Sequence, residues 1–393
     1  MLLKMLDTLV RRLALPMNAK AEIVPPRTQD GRCPSVSVII PCYNYGRYLT
    51  QCVNSALDQR GVDVDVIVID DASSDGSEQI VRELGTRDTR IQTICHRENK
   101  GHIATYNEGI SHVTGDYIVL LSADDLLAPG CLARATSLME HYPSVGLTYG
   151  HSIEFTDESP PPARTTAKSW IIWPGHDWIA QRCKAGGNAI KCPEAVVRAS
   201  VLREVGGYRS DLPHAADFEL WMRTATVSDV GYVAGADQAY YRTHPHNMHH
   251  TIFDMLDDFS QRLASFDALF TGCSDLLNDR DSMRDTAHRA LARNALIQGI
   301  RDTGHRALAH SVLGSAARPY LRGTVGDEPA ADYSAFALRA WPHARQLREW
   351  RTLDKLINMG DRSPRLGPSL ITRMAIRKLR SRSGELRWRL AGI

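Results

Sequence analysis

The chain has 393 residues, 43% hydrophobic and 23% charged, the balance of a water-soluble globular protein with room for more than one domain. Its net charge of +2 supplies no field that would require nucleic acid as a partner. No apolar run reaches bilayer-spanning length, and the eight cysteines lie far apart with no C-x-x-C pair, which argues against a membrane-embedded chain, a disulfide framework and a structural zinc site. The N-terminal MLLKMLDTLVRRLALP holds Asp7, Arg11 and Arg12 where a signal peptide stays apolar, so a cytoplasmic protein is expected.

SVSVIIPCYN, residues 35–44, is a β-branched strand stopped by Pro41. RYLTQCVNSALDQ behind it spaces Leu49, Val53, Ala56 and Leu57 along a helix. VDVDVIVIDDASSDGS, residues 62–77, gives a second strand that ends at Asp70 and Asp71 in a Ser/Asp/Gly turn. EQIVRELG is the next helix, RIQTICH a third strand, GHIATYNEGISHV a helix and DYIVLLSADD a fourth strand. Such alternation predicts an α/β fold, a mostly parallel central sheet with helices on both faces. Ligands of these sheets gather at the carboxyl ends of strands, where Asn44, Asp71 and Asp124 fall. The run Tyr117–Leu121 is a doubly buried strand by composition, yet it leads into the adjacent acids Asp124 and Asp125. Two readings stay open there: solvated loop acids that cap a helix, or carboxylates holding a divalent cation against a negatively charged substrate.

Past residue 130 the spacing predicts a helix over 131–141, then short strands with Pro/Gly-rich connections through TDESPPPARTT and PGHDW. Residues 186–225 read as a small antiparallel piece leading into a helix that begins near Asp217. Beyond 252 the pattern is helical, with an Ala-rich helical hairpin broken at Gly304. The expected organisation is residues 1–32 as an amphipathic helix and linker, 33–250 as one domain with halves 33–130 and 131–250, and 251–393 as a helical region with a basic tail. The helix near the N-terminus and the Arg-rich tail 364–393 would suit either core docking or an anionic membrane surface at its inner face.

Six motifs then carry a resemblance. VSVIIPCYN, VIVIDDASSDGS, ENKGHIATYNEGI, GDYIVLLSADD, GGYR followed by AADFELWMR, and YYRTHPHNM stand in the order found in family 2 glycosyltransferases of the nucleotide-sugar-binding A-type fold. The match covers roughly residues 33–250. The resemblance implies an inverting, metal-dependent transferase that moves a sugar from a nucleoside diphosphate sugar, UDP or dTDP ahead of GDP, to a saccharide or lipid-linked hydroxyl acceptor. Surface polysaccharide or glycolipid assembly is the expected setting. A nucleotidyltransferase would carry a Gly-rich basic loop after the first strand, where this chain reads PCYNYGRY, and a non-catalytic sugar-nucleotide binder would not need the acids.

Roles follow from chemistry and resemblance together. Breaking a sugar–diphosphate bond calls for a Lewis acid on the leaving group, and hard oxygen ligands suit Mn2+ or Mg2+. The resemblance implies Asp125 as the direct metal ligand, Asp124 as ribose or metal partner, and His244 returning to the metal or diphosphate. Asp71 would accept a nucleobase N–H, Tyr43 would stack on the base, and Pro41 would hold the turn beneath it. Asp70 is expected to order its turn through backbone bonds. Asn44, Asn99, Gly101 and Asn107 are expected around the same donor pocket, and Arg242 on the phosphates. Asp217 is the expected general base, with Glu219 second and helix capping as its competing role. His244, His246, His249 and His250 form a cluster without zinc-like spacing.

Overall fold

The computed structural model describes residues 21–27, 31, 33–156, 159–245, 247, 254–313 and 329–358, with backbone alone at 274, 304–313 and 358. The expected N-terminal helix, the basic tail, and His246, His249 and His250 lie outside these residues.

The elements in chain order are β1 (Glu22–Val24), β2 (Ser35–Cys42), α1 (Gly46–Leu57), β3 (Asp63–Asp70), α2 (Ser77–Arg87), β4 (Ile91–Cys95), α3 (His102–Ser111), β5 (Tyr117–Leu120), β6 (Leu126–Leu127) and α4 (Cys131–His141). There follow β7 (Val145–Phe155), β8 (Ser169–Trp173), α5 (Gly175–Ala185), a 3-10 turn (Cys192–Glu194), β9 (Val196–Arg198), α6 (Ala199–Val205), α7 (Ala216–Thr224) and β10 (Asp229–Arg242). The helices α8 (Met255–Gly272), α9 (Arg280–Leu313), α10 (Ala330–Ala340) and α11 (Arg348–Asn358) complete the described chain.

One sheet runs β1-β8-β10-β7-β9-β5-β2-β3-β4, with β6 paired to β10. Its N-terminal half, β5-β2-β3-β4, is all parallel, with Val38 opposite both Val66 and Val119. That is the expected α/β sheet. β9 joins it antiparallel to β7, which runs parallel to β10, and β8 and β1 close the far edge antiparallel. Because strand side chains alternate, Val36, Val38, Ile40, Val66 and Val68 face one core with Leu49, Val53 and Val81 of α1 and α2. Ile39, Ile67, Ile69, Ile118 and Leu120 face the other, covered by α3, α5 and α7. That second core continues without a break into Phe259, Phe266, Leu291, Leu296, Tyr333 and Phe336 of the C-terminal helices. Among the described residues no helix is long and apolar enough to cross a membrane.

Two sequence expectations are corrected. PGHDW is the start of a helix and not a connection: Pro174 is extended at φ −51 and Asp177 sits in the first turn of α5, both favourable at a helix N-terminus. The Ala-rich stretch does not turn back at Gly304, since α9 runs unbroken for 34 residues. An internal glycine costs about 1 kcal/mol, which the packing of the preceding turns offsets: Gly299 lies against Leu353 and Tyr333.

Candidate active site

β2 and β3 end side by side, Cys42 opposite Asp70, and the chain leaves both through tight turns. Asn44 and Ala72 each take φ 59, a conformation that disfavours side chains and is found where loops are held by their surroundings. The holding contacts are explicit. Asn44 Oδ1 accepts the Ser74 N–H at 2.8 Å, and Ser73 Oγ accepts the Asn44 N–H at 2.9 Å. Asp70 Oδ2 accepts the Ser73 N–H at 3.2 Å, the turn-ordering role read from the sequence.

Asp71, 2% exposed, faces the other way. Its Oδ1 accepts from His96 Nδ1 at 2.7 Å and the Lys100 N–H at 2.8 Å, and its Oδ2 accepts the Gly101 N–H at 2.9 Å. Burial pushes this carboxyl up, but the hydrogen bonds from His96, Lys100 and Gly101 outweigh it and leave it below its ordinary value. Asn99 closes the loop, donating to the Asp71 carbonyl at 3.2 Å. Pro41, Tyr43, Asn44, Asp71, Asn99 and Gly101 thereby line one cavity of about 990 Å³. Tyr43 is 50% exposed there, with a ring face open to a ligand. Asn107 departs from expectation: its Nδ2 donates to the Tyr208 carbonyl at 2.9 Å and its Oδ1 accepts the Tyr208 N–H at 2.8 Å. Its amide ties α3 to the 206–208 turn and is not turned to the cavity.

Asp124 and Asp125 follow β5 and are 5% and 3% exposed, so neither is a solvated loop acid. Asp125 Oδ1 accepts the Arg242 N–H at 2.8 Å. Asp124 Oδ2 lies 3.1 Å from His244 Nε2 and 3.3 Å from Asn247 Nδ2. Burial, and next the negative charge of Asp124, push the Asp125 carboxyl well above its ordinary range. Arg242, expected on phosphates, is 2% exposed. Its guanidinium is sandwiched between the rings of Tyr48 and Phe155 at 4.5 and 4.4 Å and bonds the Asp124 carbonyl and Gln51 Oε1. It fixes the backbone that carries the acids. Carboxylates are a ligand type that Mn2+ and Mg2+ accept, but among the described residues no three His, Cys, Asp or Glu side chains are grouped so as to hold a metal ion, so a cation here would need oxygens of the substrate to complete its shell.

Asp217 lies in the first turn of α7, whose N-cap is Ala215, so it does not cap the helix. Its Oδ1 accepts the Phe218 N–H at 2.6 Å and its Oδ2 accepts from Asn188 Nδ2 at 3.1 Å. Burial raises the carboxyl to about 6, opposed by the Phe218 N–H and the charge of His214. A second cavity of about 470 Å³ is lined by Asp124, Asp125 and Asp217 together, with Lys191, His214 and Tyr241. Both cavities share Tyr45, His102, Tyr106, Ser122 and Pro213 as a common wall.

Several of these residues escaped sequence reasoning. Lys191, whose ammonium pairs with Glu154 and lies 4.8 Å over the Tyr241 ring, stands in no motif. His214 immediately precedes AADFELWMR and Tyr241 lies inside YYRTHPHNM, and those motifs were the available signal. Glu194 is a buried acid in the 3-10 turn. Its Oε1 accepts the Lys191 N–H at 3.1 Å, and the Ser152 hydroxyl sits on its Oε2; burial pushes it up to about 8.

Comparison with known proteins agrees with this geometry. Residues 37–206 match the family Glycosyl transferase family 2. EpsE of Bacillus subtilis is 32% identical over 205 residues, 51% of this chain and 69% of its own. An uncharacterized glycosyltransferase of Haemophilus influenzae is 27% identical over 217 residues, 54% of this chain and 66% of its own. The chain spans only 31% of GlyG from Streptococcus pneumoniae, at 39% identity. The crystal structure of S. aureus TarS 1-349 in complex with UDP-GlcNAc superposes with a TM-score of 0.55 at 15% identity, covering 83% of this chain and 92% of that one. Sheet and strand-end acids define the A-type glycosyltransferase fold. The chain belongs to glycosyl transferase family 2.

Proposed function

We propose that the chain is an inverting glycosyltransferase that passes a sugar from a nucleoside diphosphate sugar, UDP- or dTDP-linked, to a hydroxyl of a saccharide or lipid-linked acceptor in cell-surface polysaccharide or glycolipid assembly. The observation that carries this reading is that Asp217 and the pair Asp124–Asp125, remote in sequence, line one cavity walled against the cavity of Asp71. TarS bound to UDP-GlcNAc supports the donor class. The Asp71 carboxylate, held by three donors, retains a lone pair for a base N–H, and Tyr43 offers a stacking face. Asp124, Asp125 and His244 would hold manganese or magnesium, which when bound supplies positive charge against the leaving diphosphate.

Asp217 takes the acceptor proton. With its carboxyl at about 6 it is ionised at pH 7–8 yet basic enough to accept a proton as the hydroxyl oxygen bonds to the anomeric carbon. The carbon–oxygen bond to the diphosphate breaks on the opposite face, its electron pair leaves with the phosphate oxygen, and the configuration inverts. Asp217→Asn keeps size and removes the base. Transfer is expected to fall by roughly 10²–10⁴-fold with donor affinity little changed. Full activity of that variant, or a product with retained configuration, sinks the mechanism. A panel of UDP-, dTDP- and GDP-sugars, assayed for manganese-dependent turnover, identifies the donor.

A further inference from the structure

We propose that Asp258, on α8 beyond the family-matched segment, is a positioning residue that sets the readiness of Asp217 through His214. The inference rests on the assignment of Asp217 as the base.

Helix α8 grips the stretch before Asp217 at successive turns. The His214 N–H donates to Gln261 Oε1 at 3.3 Å, His214 Nε2 lies 3.1 Å from Asp258 Oδ1, and Ser265 Oγ donates to the Ala215 carbonyl at 3.3 Å. The next residue, Phe266, meets Phe218 edge to face at 5.2 Å. Asp258 is itself fixed by Arg262, whose Nε donates to Oδ1 at 3.0 Å. The start of α8 is secured by reciprocal bonds between Asp254 and Asp257. The contact is therefore a built one, made by a helix whose first turn is held in place.

Its chemical meaning lies in where His214 sits. The ring lines the cavity that holds Asp124, Asp125 and Asp217. A carboxylate on Nε2 makes that nitrogen the donor and holds the ring in place at the cavity wall. Positive charge there favours ionised Asp217, the form that can accept a proton. Among the described residues, the charged and titratable groups around His214 include Asp258 and Arg262 from α8, His102 from α3 and Asp217 from α7, with Asp124, Asp125, Glu154 and Lys191 lining the same cavity. Asp258 touches the imidazole directly, with Oδ1 at 3.1 Å from Nε2. Asp258 lies beyond the family match, which ends at residue 206, so this contact is made by the helical region of the chain.

The test uses the full chain and the UDP- or dTDP-sugar that the panel turns over, with manganese present. kcat/KM is followed from pH 5 to 9 for the parent, Asp258→Asn, His214→Gln and the double variant, with melting temperatures alongside. Removing the carboxylate or the ring should move the acidic limb of the profile to higher pH. For Asp258→Asn, activity should drop about fivefold at pH 6 and stay within about twofold at pH 8. The double variant should add nothing to His214→Gln, because Asp258 acts only through that ring. A limb that stays in place in both single variants, a uniform loss at every pH, or additive losses in the double variant overturns the proposal. If Asp217→Asn is inactive while the limb stays fixed, only the positioning role falls; if Asp217→Asn is fully active, the base assignment falls and takes this inference with it.

Discussion

Glu194 shows how a buried acid can be costly in stability. Its carboxyl, pushed up to about 8 by burial against an ordinary value of 4.5, holds a proton in the folded chain over a range where the unfolded chain has lost it. Its contribution is fully present below pH 4.5 and is lost as pH rises through 8. Glu194→Gln should match the parent in stability near pH 4 and exceed it at pH 9, by on the order of 2–4 kcal/mol; urea unfolding at the two pH values decides, and parallel curves refute it. Asp125 invites a different pair of substitutions, because it is buried on the Arg242 N–H. Asp125→Asn keeps that acceptor and should abolish manganese dependence of donor binding with little change in melting temperature. Asp125→Ala should also lose about 1–3 kcal/mol for the orphaned donor, and donor binding that keeps the parent's manganese dependence in both variants removes the metal assignment. At this scale the strand ends pointed to Asp71 and Asp124 by backbone pattern, and Asp217 was singled out by a helix start together with the family resemblance. Asn107 and Arg242 were not, since their partners Tyr208, Gln51 and Asp124 are about a hundred residues or more away in the chain, and no local periodicity encodes that distance.

Among elements, α5 is the instructive case. A Cβ at Gly175 would stand 2.0 Å from the Ala225 carbonyl oxygen and 2.2 Å from that of Ser228, so the helix start is pressed directly on backbone after α7. Gly175→Ala should lower stability by roughly 2 kcal/mol or more, whereas Gly272→Ala, with nothing within 4 Å, should be neutral or gain up to about 1 kcal/mol. Thermal melts of the two variants compare them directly, and an unperturbed Gly175→Ala would mean that the contact relaxes freely. Proline and glycine look alike in sequence whether they break a chain or begin a helix. That is why PGHDW read as a connection and Gly304 as a turn, while the parallel strands, encoded by unbroken apolar runs, were read within a residue of their starts.

For the molecule as a whole, the second core decides what can be removed. Phe259, Phe266, Leu296 and Phe336 belong to the same cluster as Trp178, Phe218 and Trp221 beneath the active-site wall. A chain ending at residue 253 would expose that surface, and the expected outcome is loss of cooperative melting and of fixed aromatic near-UV signal; a truncated chain that melts as sharply as the parent would show the helices to be dispensable. Sequence reasoning placed the helical region and could not attach it, because side-chain partners across a core leave no trace in linear spacing. The wall common to the two cavities, Tyr45, His102, Tyr106, Ser122 and Pro213, has a thermodynamic corollary. Occupants of the two spaces lean on the same side chains, so their binding free energies are linked. Whatever factor a nucleotide imposes on the affinity of an acceptor, the acceptor must impose on the nucleotide, and a titration run in both orders should close that cycle.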